Sequence, residues 1–343
     1  MRLQTCVLFS ATVLAWGCGG SKSDTPFKAS TFTVLDSPSN ATRVNNVSAD
    51  GSVIAGQTTN PRAAIYWIDD VQQALLSSDD AIVFLGGFVS PDGQKVASSS
   101  GGKPIVHTLG GSTDAYPVPD GFQRAVALGL GSSALLAEAF QGIGTQQSYV
   151  VKDGTIHLLP ALNANSVTQA SRIADSDATV VGTSDGKPVR WINLSNPTVE
   201  AVVDSPGVAR GVSANGQVVV GDYWNGSRSV AFRWTPQGGA VDLGQLPGKV
   251  SMQATAVSAD GTVVVGNGYD DQTLSTSEPF VWTAKSGIRS ISSLPSFTSP
   301  PFQGLEELTV SDISADGRVV VGSAKTSGGV SKQVGWVVRL GSL

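Results

Sequence analysis

The chain has 343 residues, of which 41% are hydrophobic and 14% are charged, and its net charge is −5. This hydrophobic content is sufficient for a folded core and excludes wholesale disorder. Lysine and arginine are scattered, which argues against a DNA or RNA partner, because proteins that bind polyanions carry a basic face. The 40 glycines and the recurring valines favour many short strands joined by tight turns.

The N-terminal residues have the features of an export signal. Arg2 precedes an apolar run at 6–16, which is shorter than the roughly 20 residues of a membrane-spanning helix and has the length of a secretory h-region. Gly17-Cys18 at its end resembles a bacterial lipobox, and this resemblance implies cleavage before Cys18 and lipid transfer to its thiol. The alternative is an ordinary signal peptide that is cleaved nearby. Cys6 is the only other cysteine, so a mature chain beginning at Cys18 would contain no internal disulfide.

Three segments follow from this interpretation. We expect a lipoprotein signal peptide at 1–17, a lipidated N-terminus with a flexible tether at 18–30, and one folded domain at 31–343. The lipid would hold the domain on a membrane of a Gram-negative cell envelope, at the outer membrane or the cell surface.

The folded domain consists of sequence repeats. Seven copies of one motif, built around Asp-Gly or a degenerate equivalent, occur at 46–56, 88–98, 127–137, 172–182, 211–221, 256–266 and 312–322. The place of the turn glycine falls at 51, 93, 132, 177, 216, 261 and 317. These positions are 39 to 56 residues apart, and such periods are typical of propeller blades.

Each copy predicts four antiparallel strands, the content of one blade. An apolar strand leads into Asp-Gly, for which we predict a type I′ turn with positive φ at both central residues. A valine-rich strand, buried on both faces, leaves the turn. A third strand carries an aromatic residue or histidine, which we assign to packing between blades. This column comprises Trp67, His107, Tyr149, Trp191, Trp234, Trp282 and Trp336.

The two ends of the domain predict a closed ring. The seventh copy ends after its third strand at 335–340, and an unassigned strand at 31–36 precedes the first copy. Pairing these two segments would leave no open sheet edge. We therefore predict an all-β, seven-bladed propeller with four-stranded blades. A parallel β-helix is the rival fold, and the paired Asp-Gly hairpins disfavour it.

A family resemblance lies in the fifth and sixth copies. The stretch AFRWTPQGGAVDLGQLPG at 231–248, followed by SMQATAVSADGTVVVG at 251–266, resembles the bacterial extracellular HAF repeat. The resemblance covers 205–290 and 308–339 and is weak at 88–200. It implies a repeat fold and an extracellular location, and it implies no activity.

Two motifs have catalytic or metal-binding interpretations that we reject. The repeated aspartates Asp50, Asp92, Asp260 and Asp316 occur once per blade, whereas a calcium site needs six or more converging oxygens. Ser184 lies in a G-x-S-x-G pattern at 182–186, but the next element is a strand instead of the helix of a nucleophile elbow. Only His107 and His157 could serve as a base. We predict no catalytic residue, no metal and no cofactor, and hence no enzyme.

The loops indicate a binding surface. We call the face with the strand two-to-three loops and the blade-to-blade connections the long-loop face. In blades 5 to 7 it carries aromatic and acidic residues, as binding loops on rigid scaffolds commonly do. The predicted site residues are Tyr223, Trp224, Tyr269, Asp270, Asp271, Phe297, Phe302, Glu306 and Glu307. We expect a monomer that binds a protein or glycan there. A propeller lyase or hydrolase with a site in the central funnel, and a structural or adhesion module, are the alternatives.

Overall fold

The computed structural model describes residues 29–35, 42–59, 62–73, 76–77, 86–142, 144–164, 166–270, 277–293, 304–327 and 332–341. These residues form 29 strands in seven antiparallel sheets, and they contain no helix. The predicted all-β, seven-bladed propeller is therefore confirmed. A helix that could cross a membrane is accordingly not found in the described ranges.

The inner half of each blade consists of two strands. The innermost strands of blades 1 to 7 are β2 (Thr42–Val47), β7 (Phe88–Val89), β11 (Arg124–Leu130), β15 (Thr168–Ile173), β19 (Gly207–Val212), β23 (Ser251–Val257) and β27 (Leu305–Ile313). The second strands are β3 (Val53–Thr59), β8 (Lys95–Ser100), β12 (Leu135–Gln141), β16 (Thr179–Ser184), β20 (Val219–Trp224), β24 (Val263–Tyr269) and β28 (Val319–Thr326). The second strands are largely buried on both faces, as predicted.

In blades 1 to 6 the outermost strand has two to four residues and is shorter than the third strand with which it pairs. The third strands are β4 (Arg62–Ile68), β9 (Lys103–Thr108), β13 (Thr145–Lys152), β17 (Lys187–Ile192), β21 (Ser229–Thr235), β25 (Ser277–Thr283) and β29 (Gln333–Leu340). The outermost strands are β5 (Val71–Gln72) with β6 (Leu76–Ser77) in blade 1, then β10 (Thr113–Ala115), β14 (Thr155–Leu158), β18 (Thr198–Ala201), β22 (Gly239–Asp242) and β26 (Gly287–Ser290).

The N-terminal strand β1 (Ala29–Leu35) completes blade 7. It pairs antiparallel with β29, so that Phe32 lies opposite Val338 and Val34 lies opposite Trp336. Leu35 at its end is fully buried. The predicted ring closure is therefore confirmed, and the last blade gains the strand that covers its open edge.

The Asp-Gly hairpins are not type I′ turns, so that part of the prediction is wrong. In blade 1 the N–H of Ser48 bonds the carbonyl of Val53 at 2.8 Å, which encloses a loop of four residues. Only Gly51 has positive φ, at 78°, while Asp50 does not. The carboxylate of Asp50 accepts bonds from the Ser48 hydroxyl and the Ser52 N–H at 2.7 and 3.0 Å. Asp50 therefore closes the loop with its side chain and needs no left-handed backbone.

The aromatic column is partly misaligned. Five members lie opposite a β-branched residue near the start of the second strand: Trp67, His107, Trp191, Trp234 and Trp282. Tyr149 and Trp336 lie two residues earlier along their strands, opposite Ala137 and Gly322. The small partner residue leaves room for a large ring there. Trp67 and Trp191 are fully buried, which supports the assignment of the column to packing.

Blade 3 has a shorter hairpin than the alignment of the repeats predicts. The N–H of Gly131 bonds the carbonyl of Ala134 at 3.0 Å, so the loop contains two residues instead of four. Ser132 donates its N–H to the next blade, as Ala49 does, and therefore occupies the place of Ala49. The prediction that Ser132 replaces the turn glycine is wrong. Asp177 in blade 4 does occupy that place, with φ of 56°.

Candidate functional site

Three of the predicted site residues, Trp224, Tyr269 and Asp270, come together where blade 5 meets blade 6, whereas the ring of Tyr223 packs on the other face of β20 among residues of blades 4 and 5. Strand β20 packs against β23, and the end of β20 and the start of β23 lie on the long-loop face. We call this place the blade 5–6 rim and define it as Arg210, Asp222, Trp224, Lys249, Val250, Tyr269, Asp270 and Glu278. Tyr223 and Trp224 end β20, and Tyr269 ends β24.

The aromatic residues at these strand ends are held in fixed positions. The ring of Tyr223 packs on Phe232 with the centroids 5.9 Å apart. Trp224 donates its backbone N–H to Pro206 at 2.7 Å, and 41% of the residue is exposed. Tyr269 is 8% exposed and accepts the N–H of Val250 at its carbonyl, 2.8 Å away. The rim thus presents the exposed Trp224 and the buried Tyr269, while Tyr223 is partly buried on the blade 4 side of β20.

Charged side chains of the rim form ion pairs. Arg210 Nε lies 2.5 Å from Asp222 Oδ1, and Lys249 Nζ lies 2.6 Å from Asp270 Oδ1 and 3.5 Å from Glu278 Oε2. Burial raises the pKa of the Tyr269 hydroxyl, and the charges of Arg210 and Asp222 act on it in opposite directions. The Arg210–Asp222 ion pair of blade 5 therefore lies close to Tyr269 of blade 6.

The other predicted site residues are not part of this rim. Glu306 and Glu307 are exposed on β27 of blade 7, and Glu307 forms an ion pair with Lys325 at 2.5 Å. Asp271, Phe297 and Phe302 lie outside the described residues. Of the surface predicted over blades 5 to 7, the blade 5–6 rim is therefore the part where several predicted residues lie together in the described structure.

Sequence reasoning identified Asp270 but missed the other charged members of the rim, although one signal was present for Asp222. The residue after the small position of each second strand is polar in all seven blades: Gln57, Ser99, Glu138, Thr183, Asp222, Asn267 and Ser323. In three blades this side chain bonds a backbone N–H beside the bulge of the next innermost strand, as Ser323 does with Val44 at 3.0 Å. Asp222 instead pairs with Arg210. Recognition of this column would have identified Asp222.

The central axis contains a second polar site. All seven innermost strands line a cavity of about 70 Å³, which has room for a few water molecules. Arg172 on β15 and Asp312 on β27 come from nearly opposite sides of the ring, and their Nη1 and Oδ1 atoms are 2.9 Å apart. The other carboxylate oxygen of Asp312 accepts the N–H of Val47 at 3.1 Å. Burial raises the pKa of Asp175 in the same cavity, and the Asp312 carboxylate adds to this effect.

The end of the axial cavity that faces away from the long-loop face is lined by the hairpin loops. Backbone N–H groups of the hairpin loops donate to the next blade around the ring, as from Ala259 to Ala315 at 3.0 Å and from Ala315 to Ala49 at 2.9 Å. Ala49 continues the ring to Pro91 at 2.9 Å. Pro91 has no N–H and cannot pass the bond on to blade 3. Main chain of the hairpin loops therefore lines the axial cavity at this end, with one gap in the bonding between blades 2 and 3.

The residues considered for catalysis lie away from both sites. His107 on β9 bonds the Thr113 hydroxyl at 2.8 Å, and His157 lies on the outermost strand β14. Ser184 is fully buried, and its hydroxyl accepts the N–H of Leu162 at 3.0 Å. These contacts place Ser184 in the packing of blade 4.

The repeated aspartates serve their own turns. In blade 2, hydrogen bonds from the Ser90 hydroxyl and the Gln94 N–H lower the pKa of Asp92. Within the described residues no group of three His, Cys, Asp or Glu side chains is arranged to hold a metal ion.

Comparison with known proteins identifies the fold. The chain is similar to an oligogalacturonate lyase solved with manganese (TM-score 0.63, 14% identity, 92% of this chain and 96% of that one). It is also similar to an oligogalacturonate lyase from Vibrio parahaemolyticus (TM-score 0.61, 13% identity, 93% of this chain and 95% of that one). The β-propeller domain of Cps50 (Swd1) from Myceliophteria thermophila is a third similar structure (TM-score 0.56, 14% identity, 91% of this chain and 99% of that one).

These identities are too low to carry more than the propeller fold. No family model matches the chain, and no curated protein is similar to it in sequence. Membership of the HAF-repeat family stays a prediction.

Proposed function

We propose that this propeller is a non-catalytic binding module that holds a protein or glycan partner on the long-loop face of blades 5 to 7. The observation that carries the proposal is the exposed Trp224, which lies on the same face of β20 as the ion-paired Asp222. Exposed tryptophan, tyrosine and arginine are enriched among the residues that dominate binding energy at protein surfaces. Rigid strand ends, as at Trp224, lower the entropy lost on binding.

The axial cavity supports binding at the rim over chemistry in the funnel. Its two best-placed charged groups, Arg172 and Asp312, neutralise one another across the axis. The described lining of the cavity contains no histidine or cysteine. A lyase or hydrolase with a site in the central funnel would depend on Asp175, the one carboxyl of the described lining outside this ion pair, as its acid–base group.

A capture experiment tests the proposed function. The purified chain is immobilised and exposed to envelope extract, and the retained protein and carbohydrate are quantified for wild type, Trp224→Ala and Phe140→Ala. Phe140 is the matched control, because it follows Ala137 by three residues in blade 3 as Trp224 follows Gly221 in blade 5. We expect Trp224→Ala to lose the retained material and Phe140→Ala to keep it. Equal retention by all three chains would contradict the proposal.

We also propose that the module acts as a monomer that is lipid-anchored through Cys18 at the outer membrane or surface of a Gram-negative envelope. Cys18 lies outside the described residues, so the proposal rests on the apolar run and the Gly17-Cys18 pair. Cys18→Ser should abolish palmitate labelling and release the protein from the membrane fraction. Unchanged labelling of the variant would refute the anchor.

A further inference from the structure

We propose that the blade 5–6 rim binds a neutral oligosaccharide, with one sugar ring stacked on the indole of Trp224. The inference rests on the proposed function and names the chemical class of its partner. It depends on the geometry of Trp224, on the pairing of the surrounding charges, and on the small apolar area of the rim.

Trp224 is a fixed platform for a flat apolar face. Its backbone is held by pairing with Ser229 across the strand turn and by the bond to Pro206. The preceding residue, Tyr223, is held against Phe232. A pyranose presents C–H groups on its faces and hydroxyls on its edges. An exposed indole on a rigid strand end can therefore cover one sugar face without losing much conformational freedom.

The paired charges favour a neutral ligand. Arg210 is bonded to Asp222, and Lys249 is bonded to Asp270 and Glu278. A charged ligand would have to compete with these partners and leave one of them unpaired, which is unfavourable at a partly buried site. The ion pairs hold the carboxylates of Asp222 and Glu278 in place, and a carboxylate can accept further hydroxyl protons beside its ion pair. Sugar hydroxyls suit such a surface because they both donate and accept hydrogen bonds.

The apolar area argues against a protein as the partner. Among the described rim residues, the exposed large hydrophobic ones are Trp224 at 41% and Val250 at 38%. A stable protein interface buries about 800 Å² on each partner around an apolar centre. One ring and one valine cannot supply such a centre, whereas a single aromatic ring with a few fixed polar groups is sufficient for a small ligand.

Isothermal titration calorimetry with the full chain tests the inference. The probes are neutral hexasaccharides of glucose, xylose, mannose and N-acetylglucosamine, with hexagalacturonate as the charged counterpart. We expect at least one neutral hexasaccharide to bind, and more tightly than hexagalacturonate. We expect Trp224→Ala to weaken that binding about tenfold or more, Trp224→Tyr to retain part of it, and Phe140→Ala to leave it unchanged. Thermal melting of each variant shows whether it is folded.

Three results would overturn the inference. They are no binding of any neutral hexasaccharide, tighter binding of hexagalacturonate, and equal binding by folded Trp224→Ala and wild type. Capture of an envelope protein that depends on Trp224, in the absence of sugar binding, would also overturn it. That last result would leave the proposed function in place.

Discussion

Asp177 and Ser133 belong to different blades, yet the Asp177 carboxylate accepts bonds from both the N–H and the hydroxyl of Ser133, at 2.8 and 2.7 Å. The Ala134 N–H is also bonded to Asp177, at 3.2 Å. The hairpin of blade 3 is two residues short, and the carboxylate fills the space that this leaves. The aspartate that replaces the turn glycine in blade 4 therefore compensates for the shortened loop of blade 3.

Removal of this carboxylate should destabilise the propeller. Asp177→Ala loses three inter-blade bonds of a charged acceptor, and we expect a loss of about 2 kcal/mol or more in urea unfolding. Asp153→Ala is the control, because Asp153 has a similar φ of 50° on an exposed turn. The control shares the strain of a left-handed alanine, for which about 1 kcal/mol is expected. Equal losses for the two variants would contradict the compensating role.

The hairpin glycines are required for space as well as for φ. A Cβ at Gly261 would lie 2.4 Å from Val218 Cγ2 of blade 5, whereas one at Gly287 in the same blade has no atom within 4 Å. Their φ values are similar, at 76° and 68°. Gly287→Ala should cost about 1 kcal/mol of strain, and Gly261→Ala about 1–3 kcal/mol more because of overpacking. Thermal or urea unfolding measures the difference, and equal effects would refute the close inter-blade approach.

Glu138 predicts a pH dependence of stability. Burial raises the pKa of Glu138 to about 7, and its Oε1 has no hydrogen-bond partner in the described structure. The folded state therefore binds more protons than the unfolded state between the ordinary pKa, near 4.5, and about 7. The contribution of Glu138 to the free energy of unfolding is therefore complete below the ordinary pKa of 4.5, and it is lost as the pH rises from there to about 7.

Glu138→Gln should remove this contribution. We expect the stability difference between pH 5 and pH 8 to shrink by roughly 1–3 kcal/mol in the variant, as measured by urea unfolding at the two pH values. Glu306→Gln is the control, because Glu306 is exposed. An unchanged pH dependence in Glu138→Gln would show that the carboxyl is not kept protonated by the fold.

The sequence predicted the blade count, the strand order and the ring closure, because these depend on local hairpins that repeat along the chain. The compensation between Asp177 and the blade 3 loop has no local signal, since it joins residues that are adjacent only after blades 3 and 4 pack. The same holds for Arg172 and Asp312, which are far apart in the chain and meet at the axis.

At the candidate site, the exposed Trp224 could be predicted from its loop position. The pairing of Asp222 with Arg210 could not, because Arg210 is the extra residue of a bulge between Ala209 and Gly211 that the sequence does not reveal.

Binding at the blade 5–6 rim and binding in the axial cavity predict opposite effects of two variants. The decisive measurement is the amount of partner captured from envelope extract by two variants. One is Trp224→Ala, and the other is the double variant Arg172→Ala/Asp312→Ala. The double variant removes both charges of the axial pair and leaves neither of these two partners alone in the cavity. We predict that the rim variant loses the partner and that the folded axial variant retains it. Loss of the partner in the axial variant, with retention in the rim variant, would contradict the account.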